Sequence, residues 1–324
     1  MASAEPVIIA TRGSALALAQ ANLIAAQCRA TFPELAFELK IIKTTGDKLQ
    51  SASLTKAGES LPKGLFTKEL EVALLARQAD LAVHSLKDLP TDLPAGLKLV
   101  ATPKREDVRD VLVYRAAAPG VRGLPPHARL ADFPAGATIA TSSTRRKMQL
   151  LAARPDLNIV EIRGNVSTRL QKVAKQDQLD ATVLALAGLT RLHFKIQADG
   201  KLIAEKEGVP EGLLATVLDL DLMLPCVGQG AIGLEIREQD ERIERICAGL
   251  NHHETFHAVT AERAFLKAMG GGCLSPVAAH GQVQGDKITL KAVSFHNDTE
   301  KRGVGERPVA EAAALGTALA GQLK

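Results

Sequence analysis

The segment VIIATRGSALALAQANLIAAQCRATFPELAFELKIIK, residues 7–43, decides the fold of the N-terminal part of the chain. The apolar run Val7 to Ala10 predicts a short buried strand, the Ala/Leu-rich stretch Ala15 to Ala30 predicts a helix, and Phe37 to Lys43 predicts a second strand. Strand, helix and strand in this order are typical of an α/β domain with a largely parallel sheet. Cys28 falls within the helix, where we expect it to pack rather than react.

The same alternation of strands and helices continues and then repeats. A helix at Thr67 to Arg77 and a strand at Leu81 to His84 complete the first set. The second set consists of Val111 to Tyr114, Thr138 to Ala140, a helix after Ser143, Asn158 to Ile162, a helix at Val166 to Lys175, and Ala181 to Ala185. The sequence therefore predicts two α/β domains in succession.

The C-terminal region has a different pattern. A long helix at Glu254 to Met269 is predicted to end at Gly270 to Gly272, because glycine readily takes the left-handed conformation that terminates helices. Alternating runs near Val283 and at Ile288 to Val293, followed by the Ala-rich Val309 to Leu323, indicate a small α+β domain.

These patterns give domain boundaries. The alternating residues Ile232, Leu234 and Ile236 predict a strand that returns to the first domain. We therefore predict domain 1 at residues 1–103 and 230–249, domain 2 at 108–224 and domain 3 at 252–324. The hinges are predicted at 104–107 and 225–229.

Composition excludes several classes of protein. The 324 residues include 46% hydrophobic residues without a run long enough for a membrane helix, so we expect no membrane partner. No Trp, one Tyr and a net charge of +4 argue against nucleic acid as a ligand. The four cysteines form no CxxC pair and no export signal is evident, so we expect reduced thiols and a cytoplasmic location.

Two short motifs match known patterns only by their letters. His253, Glu254 and His257 spell HExxH, a zinc-hydrolase pattern, but Thr260 stands where the extended form of the motif has glycine. We interpret this stretch as an ordinary polar helix start and expect no metal. Gly228, Gly230 and Gly233 spell GxGxxG, but a strand pattern follows where a dinucleotide site needs a helix, so we interpret this stretch as a hinge.

A set of cationic side chains follows the predicted strands, where open α/β sheets bind ligands. Its members are Arg12, Lys87, Arg145, Arg146, Arg163, Arg169 and Arg191. Guanidinium groups bind carboxylates or phosphates through paired hydrogen bonds, so their convergence predicts a site for a ligand with several anionic groups. Ser142 and Ser143 could cap the helix that carries two of these arginines.

Asp88 and Cys273 add chemistry to this site. Asp88 lies among the cations after a predicted strand end, where a carboxylate can stabilise positive charge that develops on a neutral heteroaromatic ring. Cys273 follows three glycines and so lies on a pliant loop with little side-chain cover, which suits covalent attachment of a group.

Segments distributed along nearly the whole chain resemble the porphobilinogen deaminases. They are RGSALALAQ from Arg12, KGLFTKELE from Lys63, HSLKDLP from His84, TSSTRR from Thr141, RGNVSTRL from Arg163, VGQGAIG from Val227, NHHET from Asn251 and GGC from Gly271. The resemblance implies three domains, the first two similar to type 2 periplasmic binding proteins and the third a small α+β domain. It also places both short motifs in segments that bind neither zinc nor nucleotide.

The resemblance also implies an activity and roles for individual residues. The implied enzyme is a transferase of tetrapyrrole (haem-type) biosynthesis that polymerises porphobilinogen into hydroxymethylbilane and releases ammonia, and we expect it to be monomeric. By position, Cys273 carries a dipyrromethane cofactor through a thioether, and Asp88 is the catalytic acid. The implied cofactor-binding residues are Lys87, Ser14, Ser143, Arg145, Arg146 and Asp47, and the implied substrate-binding residues are Arg12, Arg163, Arg169, Arg191, Gln20 and Phe66.

Two other functions stay open at this point. A non-catalytic anion-binding protein could use the same two-lobed scaffold, since fold alone does not fix function. A zinc hydrolase using His253, Glu254 and His257 is the second alternative. The stretch Gly58 to Gly64 departs from the family in a loop of the cleft, which leaves the behaviour of that loop open.

Overall fold

The computed structural model describes residues 5–48, 64–120, 122–205, 208–272 and 275–324. In chain order the strands of these ranges are β1 (Val7–Arg12), β2 (Phe37–Ile42), β3 (Leu81–Ser85), β4 (Leu97–Ala101), β5 (Asp110–Arg115), β6 (Thr138–Ala140), β7 (Asn158–Val160), β8 (Ala181–Ala185), β9 (Phe194–Ile196), β10 (Leu202–Ala204), β11 (Leu213–Val217), β12 (Ile232–Arg237), β13 (Val277–Gln284), β14 (Lys287–Ser294) and β15 (Lys301–Pro308).

The helices of the same ranges are α1 (Ala15–Thr31), α2 (Thr45–Lys48), α3 (Lys68–Leu75), α4 (Thr144–Ala153), α5 (Val166–Lys175), α6 (Leu186–Arg191), α7 (Glu241–Ala248), α8 (His253–Ala268) and α9 (Ala312–Leu323). Short 3₁₀ turns lie at Leu86–Asp88, Leu130–Asp132, His296–Asp298 and Val309–Glu311. No helix in the described part of the chain is both long and apolar enough to cross a bilayer.

The first sheet has the strand order β2-β1-β3-β12-β4 and is covered by helices on both faces. On one face, Ile24 and Cys28 of α1 pack with Ile9 of the sheet and Ile243 of α7. On the other face, Leu70 of α3 packs against the sheet. Burial on both faces explains the nearly continuous apolar runs of these strands, and it confirms the packing role expected for Cys28.

The second sheet has the order β11-β5-β8-β6-β7. Its core includes Tyr114, which is fully buried and whose hydroxyl lies 3.0 Å from the Thr216 Oγ1 and accepts a hydrogen bond from the Ala128 N–H. Two well-formed α/β sheets therefore follow one another along the chain, as the repeated sequence pattern predicts.

The prediction of largely parallel sheets is wrong in part, because each sheet is mixed. In the first sheet β1 pairs in parallel with β2 and β3, but β12 runs antiparallel to both β3 and β4. In the second sheet β5 runs antiparallel to β8 and β11. The antiparallel strands are those that enter a sheet just after the chain has crossed from the other one, a long-range connection that local periodicity does not report.

The third sheet is antiparallel, with the order β13-β14-β15, and it packs against α8 and α9. Phe265 of α8, Leu290 of the sheet and Leu315 of α9 share one buried core. The predicted α+β character is confirmed, and Gly270 has a φ of +71° just after α8, as expected for a helix end. Strand β15 was not predicted, because its sequence KRGVGERP is mostly polar and exposed and takes its register from β14.

Glu262 of α8 links the third lobe to both segments that join the two α/β sheets. Its side chain is fully buried and binds the Arg105 guanidinium through two hydrogen bonds of 2.6 and 3.0 Å. It also accepts hydrogen bonds from the backbone N–H groups of Gly228 and Gly281. One carboxylate therefore holds both connecting segments against the third lobe.

Candidate active site

The turn after β3 presents Lys87 and Asp88 at the end of the first sheet. Leu86 is buried and its N–H binds the Ala231 carbonyl at 3.0 Å, while the Leu89 N–H closes the turn onto the Leu86 carbonyl at 3.1 Å. These bonds fix the backbone on either side of the two charged residues. Asp88 remains half-buried and lines a pocket whose other residues are Arg12, Ser14, Leu16, Ala17, Gln20, Phe66, Thr67, Val83, His84 and Ser85.

Arg12 closes one side of this pocket. It ends β1, and its guanidinium lies 4.2 Å from the ring centre of Phe66 and 2.5 Å from the Asp47 carboxylate. Burial alone would raise the pKa of Asp47, but hydrogen bonds from Arg12 and Thr44 outweigh burial and hold this pKa below its usual value. The structure thus brings three predicted site residues together and gives Arg12 an acidic partner within the chain.

Gln20 contacts the same pocket through Ser85. The Gln20 amide donates to the Ser85 Oγ at 2.9 Å, and the Ser85 hydroxyl lies 3.0 Å from the Gln20 Oε1. The pair connects α1 to the end of β3. Gln20 is therefore positioned beside the turn that carries Asp88.

The two predicted serines are helix caps. Ser14 accepts a hydrogen bond from the Ala17 N–H at the start of α1, and Ser143 accepts one from the Arg146 N–H at the start of α4. Of the two serines proposed to cap α4, only Ser143 does so, because the Ser142 hydroxyl donates to the Ile162 carbonyl at 2.6 Å. A capping hydroxyl keeps its own proton, so each can still donate to an anionic ligand.

Arg145 and Arg146 share a buried carboxylate that the sequence did not point to. Asp110 has no exposed surface, and its two oxygens lie 2.8 Å from the Arg145 Nη1 and 2.7 Å from the Arg146 Nη2. The Gln229 amide donates to the same carboxylate at 2.9 Å. Burial would raise the pKa of Asp110, but the two guanidinium charges outweigh burial and hold this pKa far below its usual value.

The other predicted arginines lie around the second sheet. Arg163 follows β7 and lies 3.5 Å from the Glu161 carboxylate. Arg169 on α5 donates through its Nε to the Gly164 carbonyl at 2.9 Å. Arg191 ends α6 and donates to the Gly230 carbonyl at 2.6 Å, so it reaches from the second lobe to the connecting segment.

The acid turn of the first lobe and the arginine pair of the second contact the same connecting segment. A Cβ on Gly228 would lie 3.2 Å from the Lys87 backbone N, and the Arg145 guanidinium donates to the Leu224 carbonyl at 2.6 Å. Burial raises the pKa of the Cys226 thiol in this segment, and the positive charges of Arg145 and Lys87 oppose the rise. That these residues form one ligand site stays a prediction.

The arginine pair of this region carries more positive charge than its buried carboxylate neutralises. Asp110 supplies one negative charge to two guanidinium groups, and the Nε atoms of Arg145 and Arg146 are buried without a partner among the described residues. Burial lowers the pKa of Arg169 to about 10, and repulsion from Arg146 and Arg163 contributes. A group that carries several carboxylates fits this surplus, since it would supply the missing acceptors and counter-charges.

A buried ionisable pair beside the pocket was also missed. The His84 Nε2 lies 2.9 Å from the Glu235 carboxylate, and both side chains are almost fully buried. Glu71 lies near them, and burial together with the Glu235 charge raises its pKa. The available signal was a charged residue within each of two otherwise apolar strands, LAVHS and IGLEIR.

The two short motifs lie in a connecting segment and at the start of a helix. Gly228 and Gly230 have φ values of +72° and +82°, and Gly233 lies within β12, so a strand follows where a dinucleotide site needs a helix. The role of this segment as a hinge stays a prediction. The HExxH residues lie in the first turns of α8, and no group of three or more His, Cys, Asp or Glu side chains among the described residues could hold a metal. Cys273 and most of the loop Gly58 to Gly64 lie outside the described residues.

Comparison with known proteins matches the chain over almost its full length. Residues 7–245 match the family model "Porphobilinogen deaminase, dipyromethane cofactor binding domain", and residues 256–324 match "Porphobilinogen deaminase, C-terminal domain". A porphobilinogen deaminase from Geobacter metallireducens is 43% identical over 97% of this chain and 90% of its own length. One from Thermus thermophilus is 43% identical over 97% of this chain and 94% of its own length.

Among solved structures, the BenM effector binding domain with its effector benzoate matches with a TM-score of 0.40 and 16% identity. The match covers 82% of this chain and 93% of that domain.

Proposed function

The chain belongs to the porphobilinogen deaminase family, and from this membership we propose that it polymerises porphobilinogen into hydroxymethylbilane on a dipyrromethane primer, with release of ammonia. The observation that carries the proposal is that one connecting segment contacts both the Lys87–Asp88 turn, through Gly228, and the Arg145–Arg146 pair, through Leu224. An acid among excess cations is what a substrate with a neutral pyrrole ring and carboxylate side chains requires.

Asp88 is proposed as the catalytic group. Loss of ammonia leaves positive charge on the incoming pyrrole, and a fixed carboxylate stabilises that charge by accepting a hydrogen bond from the ring N–H. Asp88 suits this role because its turn is fixed by the backbone hydrogen bonds of Leu86 and Leu89 and because it is half-buried in the wall of the pocket.

The cationic residues are proposed to hold carboxylates. Lys87, Arg145 and Arg146, with Ser14, Ser143 and Asp47, are assigned to the cofactor, which the excess of two guanidinium charges over the one Asp110 carboxylate supports. The residues assigned to the substrate and growing chain are Arg12, Arg163, Arg169, Arg191, Gln20 and Phe66. Arg12 would exchange its contact with Asp47 for a substrate carboxylate, and Phe66 would keep its guanidinium in place.

Cys273 is proposed as the covalent anchor of the dipyrromethane. When bound, this group supplies the free pyrrole carbon at which the chain is extended. The match of residues 7–245 to a cofactor-binding family model supports the presence of the cofactor, and Gly270, whose left-handed backbone ends α8 shortly before the cysteine, supports the position of the anchor.

We also propose the domain boundaries given by the sequence pattern, which the membership of each strand in its sheet supports. A cytoplasmic, monomeric enzyme is proposed as well. The described cysteines Cys28, Cys226 and Cys247 are free thiols, as is typical of reducing compartments. Size-exclusion chromatography with light scattering tests the oligomeric state.

Intact-mass measurement tests the cofactor proposal. The purified chain should be heavier than its sequence by the mass of two linked pyrrole units, and Cys273→Ser should abolish the increment. Cys226→Ser is the matched control, because it removes a thiol of the cleft while leaving the anchor. An active protein without the increment, or an increment that moves with Cys226, would overturn the assignment.

Turnover measurement tests the role of Asp88. Asp88→Asn should keep the fold and lower the rate of porphobilinogen consumption by about 100-fold or more, because the amide cannot supply the negative charge. The matched control is Asp298→Asn on an exposed turn. A near-normal rate for Asp88→Asn would favour a non-catalytic anion-binding protein or another catalytic group.

A further inference from the structure

The first two turns of α8 carry a pair of histidines that the proposed reaction does not use. His253 and His257 are four residues apart and therefore lie on one face of the helix. Their ring centres are 4.2 Å apart, and the two Nε2 atoms face each other at 3.0 Å. Since His253 is exposed and His257 half-buried, the pair is open to solutes.

We propose that His253 and His257 form a two-histidine chelating site for a divalent transition metal of tetragonal preference, Ni(II) or Cu(II). Histidine nitrogens bind such metals at about 2.0–2.1 Å, so nitrogens 3.0 Å apart would subtend an angle of about 94° at the metal. That angle is close to the 90° between neighbouring ligands of a square-planar or octahedral ion. A tetrahedral zinc site would need about 3.3 Å between the nitrogens.

The neighbouring residues explain why the site has two protein ligands. Glu254 is one position along the helix from His253 and so points to a different face. His252 is engaged as the N-cap of α8, since its Nδ1 accepts from the Thr255 N–H and lies 3.0 Å from the Thr255 hydroxyl. Water would complete the coordination, and the HExxH letters therefore mark a chelating pair without the geometry of a zinc hydrolase.

The start of α8 is held in place, because the His252 N–H binds the Thr102 carbonyl at 2.9 Å and the Thr255 Oγ1 accepts from the Arg105 N–H. The backbone that carries both rings is therefore fixed, and to bind an ion the rings have only to turn from their contact with each other.

Calorimetric titration of the full, tag-free chain with Ni(II) tests the site. Nickel is chosen because the chain's thiols do not reduce it. One ion should bind per chain, and both His253→Gln and His257→Gln should weaken binding by about tenfold to 100-fold, while each variant keeps the polar contact of the pair. The matched control is His296→Gln, which changes an exposed histidine on a separate turn.

Paramagnetic resonance of the Cu(II) complex gives an independent readout, recorded after the thiols of the chain have been alkylated so that they do not reduce the copper. The wild-type spectrum should show coupling to two histidine nitrogens, and each single variant should retain at most one. Absence of Ni(II) binding in the wild type, or unchanged Ni(II) affinity in either glutamine variant, would overturn the proposal. So would loss of binding in His296→Gln.

Discussion

Replacement of Asp110 by asparagine should destabilise the chain strongly, because it removes the carboxylate charge that pairs with both Arg145 and Arg146 in their buried contact. Asp110 has no exposed surface and accepts hydrogen bonds from both guanidinium groups and from the Gln229 amide. Asparagine keeps the shape but offers one acceptor oxygen and no charge. Breaking a buried ion pair by neutralising one partner costs about 3–5 kcal/mol, and we expect a loss of unfolding free energy in that range.

The pH dependence of this loss follows from the sign of the pKa shift. Arg145 and Arg146 hold the pKa of Asp110 below its unfolded value of about 3.9, so the folded state binds the proton less readily than the unfolded chain does. The stabilisation is therefore fully present at neutral pH and is lost as pH falls through the folded pKa. The gap between wild type and Asp110→Asn should be constant from pH 7 to about 5 and should narrow below about pH 4.

Urea unfolding followed by circular dichroism measures this gap at each pH. Asp298→Asn on an exposed turn serves as the control and should change the unfolding free energy by less than about 0.5 kcal/mol. A cost below about 1 kcal/mol for Asp110→Asn at pH 7 would refute the assigned role of the carboxylate. So would a gap that widens as pH falls.

Three further changes have defined outcomes. Gly233→Ala should lower the unfolding free energy by about 1–3 kcal/mol in urea titration, because its Cβ would lie 2.9 Å from the buried Leu86 side chain; an unchanged midpoint would contradict this packing. Arg169→Gln should remove activity while thermal unfolding shows equal or greater stability, because this arginine is half-buried beside the positive charges of Arg146 and Arg163; a large loss of stability would be inconsistent with that surplus of charge. Phe66→Leu should raise KM for porphobilinogen about 2- to 5-fold at nearly constant kcat, because Arg12 loses its contact with the ring. Steady-state kinetics measures both constants, and a fall in kcat with unchanged KM would contradict this role of Phe66.

Much of the architecture could be predicted from local sequence pattern. Apolar runs located the strands that are buried on both faces, and the triple glycine located the end of α8. The cationic residues were singled out because they stand at strand ends or on the helices that follow, and the topology of α/β sheets brings the carboxyl ends of parallel strands to one edge; their roles stay predictions. These signals are local, so a single sequence carries them.

The parts that were missed depend on contacts between distant residues. Asp110 and Arg145 are 35 positions apart, and nothing distinguishes Asp110 in the sequence except its place before an apolar run. His84 and Glu235 are 151 positions apart and meet only because β12 returns to pair with β3. Strand β15 is exposed and mostly polar, and its conformation is imposed by pairing with β14. Which residues meet across such long sequence separations is decided by the topology of the sheets, and local periodicity does not report it.

The buried carboxylate of Glu262 bears on how chains of this kind can be recombined. The two family models divide the sequence between residues 245 and 256, a place that looks suitable for exchanging modules between relatives. Glu262 lies on one side of that boundary, whereas Arg105 and Gly228, which donate to it, lie on the other. A chimaera joined there inherits a working junction only if its parents agree at both charged positions. Arg105 and Glu262 must therefore be inherited, or redesigned, as a unit.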